Sequence, residues 1–360
     1  MGGGYLSLYL VLTRSFGITG NPKQLHNRLI YSALTSTGIR SLPYLCTMKT
    51  LFIALLLLAG HSDTLNVMFW NLENFFDYRN DSTSVSDADF SPRGVRHWTK
   101  KRFYAKCNAV AKGILWASAR NGAVPDVIGL AEIENAFVLR RLTQATLLRK
   151  LDYKIIHFDS PDRRGIDVAL LYRGLKPLDS HPAHIYNADS TIMATRDILI
   201  ASFTTQQGDT AAFLVNHHPS KFGGAAASEA RRNIAVERLK QLADSLQTLG
   251  IQKIIAMGDF NDTPGNPVYH KLEPALWNKA EEFYKKGYGT IKYDGKWELI
   301  DMFFTSSAIN NAEMEILYIP FLQTRDKAAT GTKPLRTYSG PRYLGGVSDH
   351  NPIWLWVELK

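Results

Sequence analysis

The sequence predicts a single mixed α/β domain, and two observations favour this fold class. Beyond residue 63, short apolar stretches of strand length alternate with longer stretches that have helical spacing. No repeat, low-complexity linker or change of composition interrupts residues 63–360, so one domain accounts for them. Hydrophobic residues at 45% and charged residues at 21% are ordinary globular values, which exclude a disordered chain, a collagen-like fibre and a coiled coil.

The first 62 residues are expected to lie outside this domain. Residues 51–59 form an apolar run that is too short to span a bilayer as a helix. Met48 and Lys49 precede the run and small or polar residues follow it, which is the order typical of a signal peptide rather than of a buried helix. We therefore expect residues 48–62 to direct export to the periplasm or the extracellular space. Residues 1–47 would be an upstream mis-start or an unstructured leader.

Charge and cysteine content exclude several classes of protein. The chain carries a net charge of +9, but residues 1–49 hold five basic and no acidic residues, so the remainder carries about +4. Net charge alone is therefore a weak argument for nucleic-acid binding. Two cysteines, Cys46 and Cys107, exclude a disulfide scaffold and a cysteine-based zinc site. Cys107 is expected to be a core residue of a helix.

Three helices are predicted from apolar residues at helical spacing. The first covers residues 97–120, where Phe103, Val110 and Ile114 recur on one face. The second covers residues 135–148, and the third covers residues 228–246 with Ser228 as its N-cap. The polar residues 80–94 are predicted to be a loop.

The strands are predicted from short apolar runs that turn residues or Pro delimit. Pro125, for example, precedes the run at residues 126–131. In chain order the predicted strands are residues 65–71, 126–131, 153–158, 167–172, 198–204, 211–216, 253–258, 299–304, 315–318 and 352–357.

Polar clusters stand at the ends of six of these apolar runs. An Asp or Asn after a strand is usually a turn residue, so each cluster is a weak signal by itself. Six together indicate a site at one rim of a sheet, where carboxylate, amide and imidazole groups meet. The clusters are Trp70 to Asn74, Gly129 to Asn135, Asn216 to Lys221, Gly258 to Asp262, Leu299 to Phe303 and Gly346 to Pro352.

The ordered set of these residues resembles the endonuclease/exonuclease/phosphatase superfamily, which includes pancreatic deoxyribonuclease, neutral sphingomyelinases and inositol-polyphosphate phosphatases. Its most specific pieces are the Gly-Asp-Phe-Asn motif at Gly258 and the Ser-Asp-His motif at Ser348. The resemblance covers about residues 65–358. It implies a four-layer αββα sandwich of two mostly antiparallel mixed β-sheets flanked by helices.

The resemblance also implies roles for individual residues in phosphate-ester hydrolysis. Metal ligation, to Mg²⁺ with Mn²⁺ as a possible substitute, falls to Glu132, Glu73 and Asp349. The catalytic group is His217, Asp259, Asn261, Asp301 and His350, with Asp301 orienting His350 and either Asp259 or His350 as the base. Asn71 and Asn216 would bind substrate phosphate. Independently of the resemblance, Arg164 precedes a predicted strand and could present its guanidinium to the same phosphate; the alternative is a basic loop without this role.

The expected function is that of an exported Mg²⁺-dependent phosphodiesterase of the nuclease type, acting on DNA or RNA. The alternative is a phosphatase, or a phosphoesterase of the sphingomyelinase or inositol-phosphate type; a non-catalytic binding module is a third hypothesis. The sequence contains no Gly-x-Ser-x-Gly, phosphate-binding loop or His-Glu-x-x-His motif. We expect a monomer with no stable protein partner and no membrane span after signal removal.

Overall fold

The computed structural model describes residues 64–79, 86–205, 208–221 and 225–359, without the side chains of residues 225–227. The expected leader at residues 1–47 and signal peptide at residues 48–62 lie outside these residues. So do residues 80–85 of the predicted loop. No described helix is long and apolar enough to cross a membrane.

The described residues contain four α-helices, eighteen strands and three 3₁₀-helices, the last at Leu147–Lys150, Pro267–Leu272 and Pro320–Leu322. The helices are α1 (Lys100–Asn121), α2 (Ala136–Gln144), α3 (Ala225–Thr248) and α4 (Glu281–Lys285). The strands are β1 (Thr64–Phe75), β2 (Val127–Ile133), β3 (Lys154–His157), β4 (Asp167–Tyr172), β5 (Lys176–Ala183), β6 (Ile198–Thr204), β7 (Thr210–His217), β8 (Lys253–Asp259), β9 (Trp277–Asn278), β10 (Ile291–Tyr293), β11 (Lys296–Glu298), β12 (Asp301–Thr305), β13 (Asn311–Ile316), β14 (Gln323–Arg325), β15 (Thr332–Pro334), β16 (Tyr338–Ser339), β17 (Arg342–Tyr343) and β18 (Ile353–Glu358).

Two six-stranded sheets contain most of these strands. The first has the order β13-β18-β1-β2-β4-β3, and the second has the order β5-β6-β7-β8-β12-β9. Each sheet is antiparallel except for one central parallel pair, β1 with β2 and β7 with β8. Both sheets are therefore mixed and mostly antiparallel.

The side chains of β1 show how the layers stack. Val67 and Phe69 belong to the apolar cluster shared with the second sheet, whereas Met68 and Trp70 belong to the cluster that contains α1. Successive strand residues point to opposite faces, so β1 is apolar on both faces because both are covered. With α1 and α2 outside the first sheet and α3 packed with the second, the predicted four-layer sandwich is confirmed.

Two glycines lie where neighbouring main chain or side chains approach closely. A Cβ on Gly129 of β2 would lie 2.6 Å from the Met257 sulfur of β8, across the sandwich. A Cβ on Gly258 of β8 would lie 2.3 Å from the Asn216 main-chain oxygen of β7. Gly258 has no room for a side chain because main chain lies against it, whereas a side chain at Gly129 would have to displace the Met257 side chain. Gly258 lies beside the predicted catalytic Asp259.

Helix boundaries differ from the predictions for local reasons. Thr99 caps α1 and Asn135 caps α2 by accepting main-chain N–H groups, so these helices begin where their caps allow. Helix α3 begins at Ala225, so the prediction that Ser228 caps it is wrong. Cys107 is buried in α1, as predicted.

Strand β5 was not predicted at all. It contains Pro177 and Pro182 and its side chains are mostly exposed. It lies at the edge of the second sheet, where proline is tolerated because one side of the strand needs no hydrogen-bonded neighbour.

Candidate active site

The two parallel pairs bring four strand ends to one rim of the sandwich. In the first sheet Asn71 of β1 pairs with Ala131, next to Glu132. In the second sheet His217 of β7 pairs with Asp259 of β8, which also pairs with Asp301 at the start of β12. The predicted site residues therefore meet because carboxyl ends of parallel strands share an edge.

The backbone at this rim adopts uncommon conformations. Glu73, Asn74, Glu132 and Asn261 all have φ between 45° and 62°, in the left-handed region that non-glycine residues rarely occupy. Such conformations cost free energy and persist where the surroundings fix them, often at functional sites.

Asp301 and His350 form a buried pair. His350 Nδ1 lies 2.8 Å from Asp301 Oδ2. Ser348 Oγ donates to the Asn71 carbonyl at 2.6 Å and accepts the His350 N–H at 2.9 Å, which fixes the chain around the ring. Burial lowers the pKa of His350, but Asp301 and Asp259 outweigh it, so this pKa lies well above its ordinary value.

Asp259 lies at the centre of the cluster. Its Oδ1 accepts the Asn261 N–H at 2.9 Å. Its Oδ2 lies 3.6 Å from His217 Nε2 and 3.8 Å from His350 Nε2. Burial raises the pKa of Asp259 to about 7, with His350 opposing and Asp301 adding to the rise. A carboxyl group poised near neutral pH suits proton transfer.

Asn71 does not have the role that was predicted for it. Its Nδ2 donates to Asp259 Oδ2 at 3.0 Å and to Glu132 Oε1 at 3.3 Å. Its Oδ1 accepts the Glu73 N–H at 2.9 Å. With both amide hydrogens engaged, Asn71 orients two carboxylates instead of binding phosphate.

Asn216 also departs from its prediction. It is fully buried, and its Nδ2 donates to the carbonyls of Leu214 at 3.0 Å and Met257 at 3.3 Å. Adjacent strand residues face opposite sides, so Asn216 points away while His217 faces the cluster. Its amide group ties β7 to β8, so its predicted phosphate contact is corrected to a structural role.

The two neighbouring histidines differ in their surroundings. His217 Nε2 lies 3.9 Å from Glu132 Oε1 and faces Asp259. Burial, then the charges of Arg196 and Arg164, hold the pKa of His217 well below its ordinary value, so the ring is neutral. The His218 ring packs on Phe260 at 4.8 Å and burial lowers its pKa to about 3, which makes it a structural residue.

A second group of carboxylates adjoins the first. Glu132 Oε2 accepts the Asn74 N–H at 2.6 Å. Glu73 accepts from Arg336 Nε at 2.9 Å and from the Thr337 N–H at 2.8 Å, and the same Arg336 reaches Asp349 at 3.1 Å. Glu73 is thus engaged by Arg336 and Thr337, and only Glu132 and Asp349 keep partly exposed oxygens toward solvent.

The donor set fits a hard divalent cation. Glu132 and Asp349 offer carboxylate oxygens of the kind that Mg²⁺ and Mn²⁺ prefer. Asp259, Asp301 and His350 also place one ligand atom each within 4.8 Å of one another. Asp301 Oδ1 is buried without a hydrogen-bond partner, an orphaned acceptor in this cluster. The rim therefore offers two adjacent places for a cation.

Arg164 lies on the loop between β3 and β4. Its side chain is 44% exposed and its Nε lies 3.7 Å from Asp162 Oδ1. The charge of Arg164 contributes to the lowered pKa of His217, so Arg164 lies near that ring at the rim of the same cluster. Its exposed part faces solvent, and its predicted phosphate contact stays a prediction.

Three cationic residues of the site were missed from the sequence. One of them is Arg336. Another is Lys106, which is buried in α1 and donates to the Glu73 carbonyl at 2.7 Å and to Thr337 Oγ1 at 2.8 Å. Arg196 is buried before β6. Only Lys106 gave a signal, as a charged residue on the apolar face of its helix next to Phe103 and Cys107.

Comparisons with known proteins identify the family. The family model described as "Endonuclease/Exonuclease/phosphatase family" matches residues 66–359. No curated protein sequence matches the chain.

Solved structures share the fold at low sequence identity. A truncated TDP2 from Caenorhabditis elegans is 14% identical with a TM-score of 0.53, over 82% of this chain and 97% of that one. A mannosyl-6-phosphatase from Bacteroides thetaiotaomicron is 16% identical with a TM-score of 0.53, over 81% and 99%. The human nocturnin catalytic domain is 17% identical with a TM-score of 0.50, over 82% and 95%. With the family match over most of its length, this chain belongs to the endonuclease/exonuclease/phosphatase family of metal-dependent phosphoric ester hydrolases.

Proposed function

We propose that this protein is a Mg²⁺-dependent phosphodiesterase that cleaves nucleic acid in the manner of an endonuclease. One observation carries the proposal: Asp259 Oδ2 lies 3.6 Å and 3.8 Å from two imidazole nitrogens, and the second imidazole is held by Asp301 at 2.8 Å. This is a buried carboxylate between one neutral and one protonated ring.

The residue roles follow from these protonation states. Asp259 accepts the proton of the attacking water, because its pKa of about 7 lets it gain and lose a proton near neutral pH. His350, protonated and oriented by Asp301, donates to a phosphoryl oxygen. Neutral His217 assists the leaving oxygen, and Asn261 holds the Asp259 carboxylate through its main-chain N–H.

Glu132 and Asp349 would hold the cation, with Glu73 and Arg336 setting the position of Asp349. When bound, Mg²⁺ neutralises charge on the phosphoryl group and lowers the pKa of a bound water. Mn²⁺ is expected to substitute because it accepts the same oxygen donors.

A groove along the first sheet that holds three basic side chains supports an extended polyanionic substrate. A cavity of about 650 Å³ lies between α2 and β3 and is lined by Arg140, Arg149 and Lys154. Ala136 lines it too, only four residues beyond Glu132, which limits their separation to about 14 Å. Lys154 is level with Val127, at the opposite end of β2 from Glu132, so a bound strand would follow the first sheet away from the site to reach these cations. Salt would weaken that contact.

A phosphatase of small phosphate esters is the alternative. The mannosyl-6-phosphatase shares this fold, and the hydrolytic cluster would serve either reaction. Export through the segment at residues 48–62 remains part of the proposal, as does a monomeric state.

The test is hydrolysis by the purified protein with Mg²⁺, with and without EDTA, on double- and single-stranded DNA, RNA, sphingomyelin, inositol phosphates and mannose 6-phosphate. His350→Ala should abolish turnover. His184→Ala, which removes another Asp-paired ring (Nδ1 to Asp197 Oδ1, 2.9 Å), is the matched control and should keep it. EDTA-sensitive cleavage of DNA or RNA supports the proposal; cleavage of a small ester alone would replace it with the phosphatase.

A further inference from the structure

The guanidinium of Arg196 joins two loops of the active-site rim. Its side chain is buried in the segment before β6. Its Nη1 donates to Asp162 Oδ2 at 3.0 Å, and its Nη2 donates to the His218 carbonyl. Asp162 lies on the β3–β4 loop and His218 directly follows β7, so one side chain spans both.

The His218 end of this connection leads to the hydrolytic cluster. Its carbonyl is shared, because Asn261 Nδ2 also donates to it at 2.9 Å. The His218 N–H donates to the Asp259 carbonyl at 2.9 Å. Arg196 therefore supports the turn that fixes Asn261 and Asp259.

The Asp162 end leads to Arg164. Asp162 Oδ1 accepts the Arg164 N–H at 2.9 Å and lies 3.7 Å from its Nε. The Asp162 side chain is only 6% exposed, whereas that of Arg164 is 44% exposed. A buried carboxylate held by a buried cation thus sets the direction of a half-exposed cation.

We propose that Arg196 and Asp162 are positioning residues that hold the phosphate-binding Arg164 at a fixed place relative to Asp259 and Asn261. They contact no substrate themselves. Burying an ion pair is costly and seldom adds net stability, so a fixed geometry is what this pair supplies. The inference rests on the proposed function and on the sequence-based prediction that Arg164 binds substrate phosphate.

A double-mutant cycle tests the Asp162 end. Asp162→Asn should raise KM about tenfold with kcat within about twofold of wild type, as for a lost hydrogen bond to a charged group. Arg164→Ala should raise KM at least as much. In the double variant the Asp162→Asn effect should disappear, because the cation it positions is gone. An unchanged KM in Asp162→Asn, or additive effects in the double variant, would overturn the proposal.

The Arg196 end is tested by replacement and rescue. Arg196→Met should lower kcat and raise KM, and added guanidinium ion should restore part of both. Arg196→Lys keeps the charge but loses the planar guanidinium with its paired donors, so its kcat and KM should lie between those of wild type and Arg196→Met. This variant also tests the proposal if Arg196→Met does not fold.

Arg238→Met is the matched control, since Arg238 Nε also donates to a histidine carbonyl, that of His184, at 3.0 Å. It should leave both constants unchanged. If the Arg238 and Arg196 variants change kcat and KM equally, and in proportion to the fall in their melting temperatures, Arg196 is a structural residue only. An inactive wild type with every substrate refutes the proposed function itself; an active wild type without coupling refutes this inference alone.

Discussion

Asp259 and His350 lie 3.8 Å apart, from Oδ2 to Nε2, and their pKa values move in a way that assigns their roles. Burial raises the pKa of Asp259 to about 7. Asp301 and Asp259 overcome the effect of burial on His350 and raise its pKa well above its ordinary value. We infer that His350 stays protonated at neutral pH and that Asp259 is the base, a choice that the sequence left open.

Asp259→Asn should lower kcat by a factor of about 10² to 10⁴, the usual contribution of a general base. The variant should fold, because the amide keeps the size of the carboxylate and removes a buried charge. Steady-state kinetics and a thermal melt measure the two effects. Asp197→Asn is the control, since burial raises the pKa of that carboxyl as well but it lies in the His184 pair. Wild-type kcat in Asp259→Asn would refute the assignment.

The pH dependence should show opposite signs for activity and stability. Activity should rise as pH increases through about 7, because Asp259 must lose its proton. Its folded pKa lies above its unfolded value of about 3.9, so the folded state binds more protons between these values and loses stability as pH rises through that window. Between pH 4.5 and 7.5, the melting temperature of Asp259→Asn should rise relative to that of wild type as the pH increases. A constant difference would contradict the raised pKa.

At the scale of elements, the site depends on how closely β7 and β8 approach. Gly258 leaves room for the Asn216 main chain, and Gly129 leaves room for Met257 across the sandwich. The two obstructions differ, because main chain cannot move aside while a methionine side chain can rotate.

Gly258→Ala should therefore cost more stability than Gly129→Ala. Overpacking a core typically costs about 1–3 kcal/mol, and we expect Gly258→Ala at or above the upper end and Gly129→Ala at the lower end. Urea denaturation at constant m gives both values. Equal costs would mean that the strand pair has more freedom than the structure indicates.

The central strands and the three longer helices could be predicted from the sequence, because both faces of the strands are apolar and the helices have apolar residues at helical spacing. Edge and short strands such as β5, β14 and β16 could not, because they bury few side chains. In the site, motif residues at strand ends were found, but Arg196 and Arg336 act through folded-state contacts that spacing does not encode. Asn71 and Asn216 lie near strand ends, but the sequence does not show where their amide hydrogens point.

At the scale of the whole molecule, the cation should link activity to stability. A ligand that binds only the folded state stabilises it by RT ln(1 + [L]/Kd), about 2.7 kcal/mol at 100 times Kd. Mg²⁺ should raise the melting temperature of wild type, and EDTA should reverse both this rise and hydrolysis. Glu132→Gln should reduce the response to Mg²⁺. A response unaffected by that change would place the cation at Asp259, Asp301 and His350 instead.

Export gives a further prediction. If residues 48–62 are a signal peptide, N-terminal sequencing of exported protein should begin near residues 60–64. A start at Met1 in exported protein would contradict it.

Strand β18 follows every other described strand in the chain, yet it lies inside the first sheet between β13 and β1. His350 precedes β18 by three residues. Its carbonyl accepts a hydrogen bond from Trp70 Nε1, which lies 280 residues earlier in the chain. A ribosome must therefore complete almost all of these residues before the hydrolytic centre can assemble. A nascent chain would therefore lack a complete hydrolytic centre until this region has been translated.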